Sequence, residues 1–253
     1  MIRILAGLVF VSVAIGGAAR PPRAQPLTVS AASSVADVLN DAGKAWLAVG
    51  GAGVLVNAGG SNVLARQVAA GARVDVFLSA DRAQMEVAER SGRLAAAPRD
   101  LLSNTLVVVV PPGAARKPLV PRDLADAGVT RIALGNPDSV PAGVYARQWL
   151  ERAGLWDAVS KKVVPTMSVR AALAAVRNGH ADAGVVFATD AKTTPDVPVA
   201  YSVSAAEAPP IRYPVAVVKG PREADAARFV DFLFSPAARD IFERAGFGVV
   251  GAP

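Results

Sequence analysis

From Leu27 onward the chain switches repeatedly between short β-rich runs and apolar stripes of helical period. No other feature narrows the fold as far. Strands separated by helix-length crossovers must lie parallel in a sheet, with the helices packed on its faces. Leu27–Ala31 reads as a first strand. A helix follows with Val35, Val38, Leu39, Ala42 and Trp46 on one face, and Gly50-Gly51 ends it. Val54–Ala58 and Val74–Ser79 read as strands, with helices over Val63–Ala70 and Asp81–Arg90. Asn104–Val110 is apolar on both faces and reads as one buried strand. The rhythm then restarts, with strands at Thr130–Leu134, Lys161–Val164 and Ala183–Phe187 and helices at Gly143–Ala153 and from Ser168 to Asn178. A second apolar run, Tyr213–Val218, precedes two C-terminal helices, the latter opened by Ser235-Pro236. This order predicts an α/β protein of two lobes. The chain crosses between them near 104–112 and 210–218, so that 25–103 and 213–253 form one lobe and 104–212 the other.

Composition removes whole classes of chemistry. The chain of 253 residues contains no Cys and one His. Disulfide scaffolds, thiol nucleophiles, thiolate zinc sites, iron–sulfur clusters and Cys-linked lipids are thereby excluded. Residues 1–24 pair Arg3 with an apolar run from Ile4 and then small residues, closed by Arg20, Pro21 and Pro22. That is the layout of an export signal, too short for the ~20 apolar residues of a spanning helix, with cleavage placed after Ala24. Three of the 27 basic residues, Arg3, Arg20 and Arg23, lie in this segment, which holds no acid. Without it the net charge falls from +6 to +3, which is no nucleic-acid footprint. The mature chain is read as exported and nearly neutral.

Four strand-to-helix turns share one character: Ala31-Ala32-Ser33-Ser34, Gly59-Gly60-Ser61-Asn62, Val140-Pro141-Ala142-Gly143 and Met167-Ser168-Val169-Arg170. At each, the first N–H groups of a helix lack internal partners and the helix dipole is positive, so an anion is held without a charged side chain. The simpler reading of Ser33 or Ser34, Ser61 and Ser168 is as helix caps, with Ser34-Val35-Ala36-Asp37 resembling a capping box. Asp75, Asp81 and Asp190 read as residues that orient turns or bridge lobes, and Arg66 and Arg170 as surface or interlobe charges. His180 follows a helix end and reads as a surface residue; Trp46, Trp149 and Trp156 read as packing.

Several blocks agree in order and spacing with one known family. They are Ser30–Ser33; Ser61 followed by Leu64–Ala72; Asp75–Asp81; Asn136–Ala146; Val169-Arg170; Gly184–Ala191; and Tyr213–Val218. On these the chain resembles the periplasmic molybdate-binding proteins of molybdate ABC importers, over essentially its whole mature length. The resemblance implies a type II periplasmic-binding-protein fold. Each lobe is then a mixed, mostly parallel sheet flanked by helices, with the ligand in the interlobe cleft. It implies no enzyme activity and no cofactor. It further implies molybdate or tungstate as the ligand, inner-membrane ABC permease subunits as partners, and a periplasmic monomer.

In that family the oxyanion is held by two Ser, which fall on Ser33 and Ser61, and by backbone N–H groups, which fall on Ala142 and Val169. The family's usual Tyr hydroxyl falls on Phe187, which has none to donate. One hydrogen bond to a charged group contributes ~1.5–3 kcal/mol. A water, or a neighbouring hydroxyl on Thr189 or Tyr145, can replace part of it. A donor-only site suits a fully ionised tetrahedral anion, which has acceptors alone. Two other readings stay open. One is a binder of sulfate or another oxyanion. The other is a secreted hydrolase with Ser33 or Ser61 as nucleophile, though Gly60-Ser61 lacks the Gly-x-Ser-x-Gly frame and one His exists to act as base.

Overall fold

Strand β1 (Leu27–Ala32) runs through a single 3-10 turn, Ser33–Val35, into helix α1 (Ala36–Ala48). These coordinates come from a computed structural model that describes residues 25–115 and 118–250; the export signal read at 1–24 lies outside the described residues. Strand β2 (Val54–Gly59), helix α2 (Ser61–Ala69), strand β3 (Val76–Leu78) and helix α3 (Arg82–Arg90) continue the alternation. β1 lies between β2 and β3 and is parallel to both, with Leu27 opposite Val54 and Val29 opposite Val76. Strand β4 (Arg99–Asn104) then ends the first passage through this sheet.

One residue later the chain is in a second sheet. Strand β5 (Leu106–Val109) is followed by β6 (Ile132–Gly135), α4 (Pro141–Arg152), the short α5 (Trp156–Val159), β7 (Val163–Thr166), α6 (Val169–Arg177), β8 (Ala183–Phe187), α7 (Ala188–Lys192) and β9 (Val199–Ser202). The chain returns as β10 (Ile211–Val217), α8 (Glu223–Leu233), α9 (Pro236–Ala245) and β11 (Gly248–Val249). The first sheet has the order β11-β4-β10-β3-β1-β2 and the second β7-β6-β8-β5-β9. In each, the parallel strands carry the helical crossovers. The antiparallel members β5 and β10 sit beside β8 and β3. Each sheet with its helices forms one lobe of an α/β protein. Among the described residues no helix is long and apolar enough to cross a membrane.

The run read as one strand over 104–110 is divided between the sheets. Asn104 pairs with Ile211 in the first, whereas Leu106 pairs with Phe187 in the second, and Thr105 is the residue between. All four residues of β5 are buried, as a run apolar on both faces requires. Full burial of each such aliphatic side chain contributes about 1.5–3 kcal/mol. Asn104 also ties the crossing together. Its Nδ2 donates to Thr189 Oγ1 at 2.8 Å and to Tyr213 Oη at 3.2 Å, and its Oδ1 accepts from Thr105 N at 2.9 Å.

Candidate functional site

The carboxyl ends of β1, β2, β6, β7 and β8 converge on one narrow cavity between the lobes, about 10 Å³ in volume. A crevice at the carboxyl ends of parallel strands is where open α/β sheets place their ligands. Ser33, Ser61, Ala142, Val169 and Phe187 all line this cavity. Ser61 and Phe187 are each 1% exposed. No Asp, Glu, Lys, Arg or His is among the lining residues.

Each polar contribution follows from a helix start. α2 is entered through Gly60, α4 through Val140 and α6 through Ser168, all in extended conformation. The earliest N–H groups of these helices, on Ser61 and Asn62, Ala142 and Gly143, and Val169 and Arg170, have no intrahelical acceptor. Pro141 occupies the first position of α4, where an N–H is dispensable. The 3-10 turn at Ser33 offers the same feature at the end of β1. Four helix or turn starts from two lobes therefore border one space, and the positive end of a helix favours an anion there.

Close packing sets these donors in place. A Cβ on Gly143 would stand 1.8 Å from the Gly135 carbonyl oxygen, so the start of α4 rests directly on the end of β6. A Cβ on Gly60 would stand 2.5 Å from the carbonyl oxygen of Met167, which belongs to the opposite lobe. Asn62 Nδ2 donates to Ser139 Oγ at 3.2 Å, and Gln84 Nε2 to the Ser139 carbonyl at 3.3 Å, again across the cleft. The lobes are in contact around the cavity.

The serines differ from a capping role in an informative way. Neither Ser33 nor Ser34 caps α1, and the capping box read at 34–37 does not form; the 3-10 turn intervenes and Val35 takes the cap position. Ser34 Oγ instead lies 3.2 Å from Tyr213 Oη. Ser61 is the first residue of α2 rather than its cap, and its Oγ accepts the Ala80 N–H at 3.0 Å. With an acceptor lone pair so used, its O–H proton is free to point at the cavity. Ser168 does cap its helix, accepting from Ala171 N at 3.2 Å.

Phe187 closes the apolar side of the cavity and packs on Tyr213 and Tyr145, with ring centroids 5.7 and 6.5 Å apart. Neither of the hydroxyls expected to stand in for a missing Tyr lines the cavity, and Thr189 Oγ1 is engaged with Asn104. Ala80 was not anticipated as a lining residue; its signal was the Ser79-Ala80-Asp81 turn after β3. The acids act on structure. Asp75 Oδ2 accepts from Thr28 N at 2.8 Å, and Asp81 Oδ1 caps α3 by accepting from Gln84 N at 2.8 Å. Burial pushes the Asp81 carboxyl up to about 6, and the Gln84 N–H and Ser79 hydroxyl pull it back only in part. His180 and Arg66 are exposed. Trp149 is buried and stacks on Tyr201, while Trp46 packs on Phe229 and Phe232.

Comparison with known proteins bears on the family and the fold. A family profile described as bacterial extracellular solute-binding protein matches residues 27–248. The molybdate-binding protein ModA of Escherichia coli K12 is 36% identical over 230 residues, covering 88% of this chain and 89% of that protein. The solved structure of the Azotobacter vinelandii periplasmic molybdate-binding protein superposes with a TM-score of 0.78 at 26% identity, over 89% of this chain and 100% of that one. The sulfate-binding protein SubI of Mycobacterium tuberculosis H37Rv reaches a TM-score of 0.77 at 18% identity, over 88% of this chain and 86% of that one. At that identity the likeness is one of fold alone.

Proposed function

The chain belongs to the bacterial extracellular solute-binding proteins, binders and not enzymes, and we propose that its cargo is molybdate, with tungstate accepted alongside. The observation that supports this reading most is a buried interlobe cavity lined by neutral donors and by no charged side chain. A tetrahedral dianion has acceptors only, so hydroxyls and N–H groups satisfy it fully, and a buried carboxylate would repel it. Monohydrogen phosphate carries a proton that needs an acceptor, which this lining does not supply as a carboxylate.

The anion sits between the Ser33 and Ser61 hydroxyls and the N–H groups of Ala142 and Val169, with the Phe187 ring as its apolar wall. The two lobes close over it as a hinged pair. Binding then shifts the population towards the closed form, since only that form presents donors from both lobes at once. After removal of residues 1–24 the protein works in the periplasm as a monomer. It hands its anion to the membrane subunits of an ABC permease.

Calorimetric titration of the dialysed mature protein tests this. Molybdate is expected to bind 1:1 with micromolar Kd or tighter, about 8 kcal/mol. Tungstate should bind comparably, with sulfate and phosphate much weaker. Silence with molybdate, or tighter binding of sulfate, would overturn the reading.

A further inference from the structure

Arg170 follows directly on Val169, which lines the cavity, and its guanidinium is shared between the lobes. Its Nε donates to Asp190 Oδ1, on α7 of the same lobe. Its Nη2 donates to Asp37 Oδ2 at 2.9 Å, in the first turn of α1 on the opposite lobe. The two acids stand in contrasting surroundings. The Asp190 side chain is 0% exposed and its Oδ2 has no hydrogen-bond partner, so removing Arg170 would strand a buried carboxyl. The Asp37 side chain is 66% exposed and loses nothing but this contact when the lobes part. Among the described residues, Arg170–Asp37 is the one ion pair that spans the cleft. The other cross-cleft polar contacts near the cavity, from Asn62 and Gln84 to Ser139, are between neutral groups.

We propose that Arg170 is a positioning residue that latches the closed cleft: Asp190 holds its guanidinium ready on one lobe, and Asp37 receives it only when the lobes meet. The planar fork of Arg suits this double duty, because separate N–H edges serve the two carboxylates. A Lys has one ammonium group at the end of a flexible stem and cannot span both. Anion and latch thus load the same helix start, α6, from its two sides. The anion takes the Val169 N–H, and the latch pulls the next side chain towards the other lobe. The proposal rests on the reading that the cleft closes on an anion, and it predicts that the latch governs how long the anion stays.

The test is stopped-flow release of molybdate, followed by tryptophan fluorescence, in the mature protein and four variants. Asp37→Asn removes the charge at an exposed position with little change of shape. It is expected to speed dissociation about three- to tenfold and to leave association nearly unchanged. Arg170→Lys should do the same, and the double variant should be no worse than either single one. Asp41→Asn is the control, since Asp41 lies on the same helix and, among the described residues, pairs only with Lys44. It changes net charge equally and should leave release untouched. Wild-type release in Asp37→Asn, or equal acceleration in Asp41→Asn, would overturn the latch. A wild-type protein that binds no oxyanion would instead overturn the proposed function. The latch is then judged by small-angle scattering without ligand. A larger radius of gyration in Asp37→Asn than in wild type supports it, and equal radii refute it.

Discussion

Phe187 is where a single atom bears most directly on affinity. Its side chain lines the cavity, so a hydroxyl added at its tip can join the donors proposed for the anion. Phe187→Tyr is therefore expected to tighten molybdate binding by up to ~1.5–3 kcal/mol, one to two decades in Kd, read by calorimetry. Unchanged affinity would mean that the new hydroxyl points away from the anion. Asp81 offers a prediction of another kind. Its folded-state pKa of about 6 lies above its ordinary value of 3.8, so between those values the folded protein holds more protons than the unfolded chain. The contribution is present at low pH and is lost as pH rises through 6, amounting to ~1 kcal/mol between pH 5 and 7. Asp81→Asn retains a cap acceptor for Gln84 N but cannot ionise. Denaturation curves should show the variant gaining about 1 kcal/mol on wild type between pH 5 and pH 7. A constant difference across that range would sink the assignment.

At the scale of the element, the site depends on how each helix meets the strand before it. The contact of Gly143 with the Gly135 carbonyl shows how little room there is. Gly143→Ala forces the first turn of α4 off the end of β6 and carries the Ala142 N–H with it. We expect a loss of about 2–4 kcal/mol in stability by chemical denaturation. The protein that still folds should show molybdate affinity reduced by about a hundredfold, because a displacement near 1 Å is enough to spoil an aligned site. Normal affinity in that variant would show that α4 can shift without cost to the anion. The strand–helix turns were legible in the sequence because Ser, Gly and Pro mark them by local chemistry. β4 was not. It opens with Arg99 and Asp100, and its claim to be a strand comes from pairing with β10 and β11, partners more than a hundred residues away. The cap at Ser33–Ser34 failed for a similar reason. Tyr213, brought in by β10, takes the Ser34 hydroxyl that local reasoning had given to the helix.

Convergence belongs to the whole molecule. The resemblance pointed to Ser33, Ser61, Ala142, Val169 and Phe187, but no periodicity says that turns on two sheets face one cavity. That follows from the double crossing at Thr105 and 203–210, which sets the carboxyl ends of both sets of parallel strands against each other. The Arg170 bridge was legible only as an interlobe charge, since its partner on α1 lies 133 residues away in sequence. A ligand held by both sheets must stabilise them together. With molybdate at a hundred times its Kd, linkage adds about 2.7 kcal/mol to the native state. In a chain of this size 1 kcal/mol moves the melting temperature by ~2–4 °C, so the rise should be about 5–10 °C by differential scanning fluorimetry. Ser61→Ala isolates the part that one lobe's hydroxyl supplies. It also strands the Ala80 N–H, so its melting temperature without ligand falls on its own account, and the ligand-induced rise is the quantity to compare. If the hydroxyl contributes a tenfold change in Kd, the same molybdate concentration adds only about 1.4 kcal/mol, and the rise should halve. An undiminished rise in Ser61→Ala would place the anion on backbone donors alone.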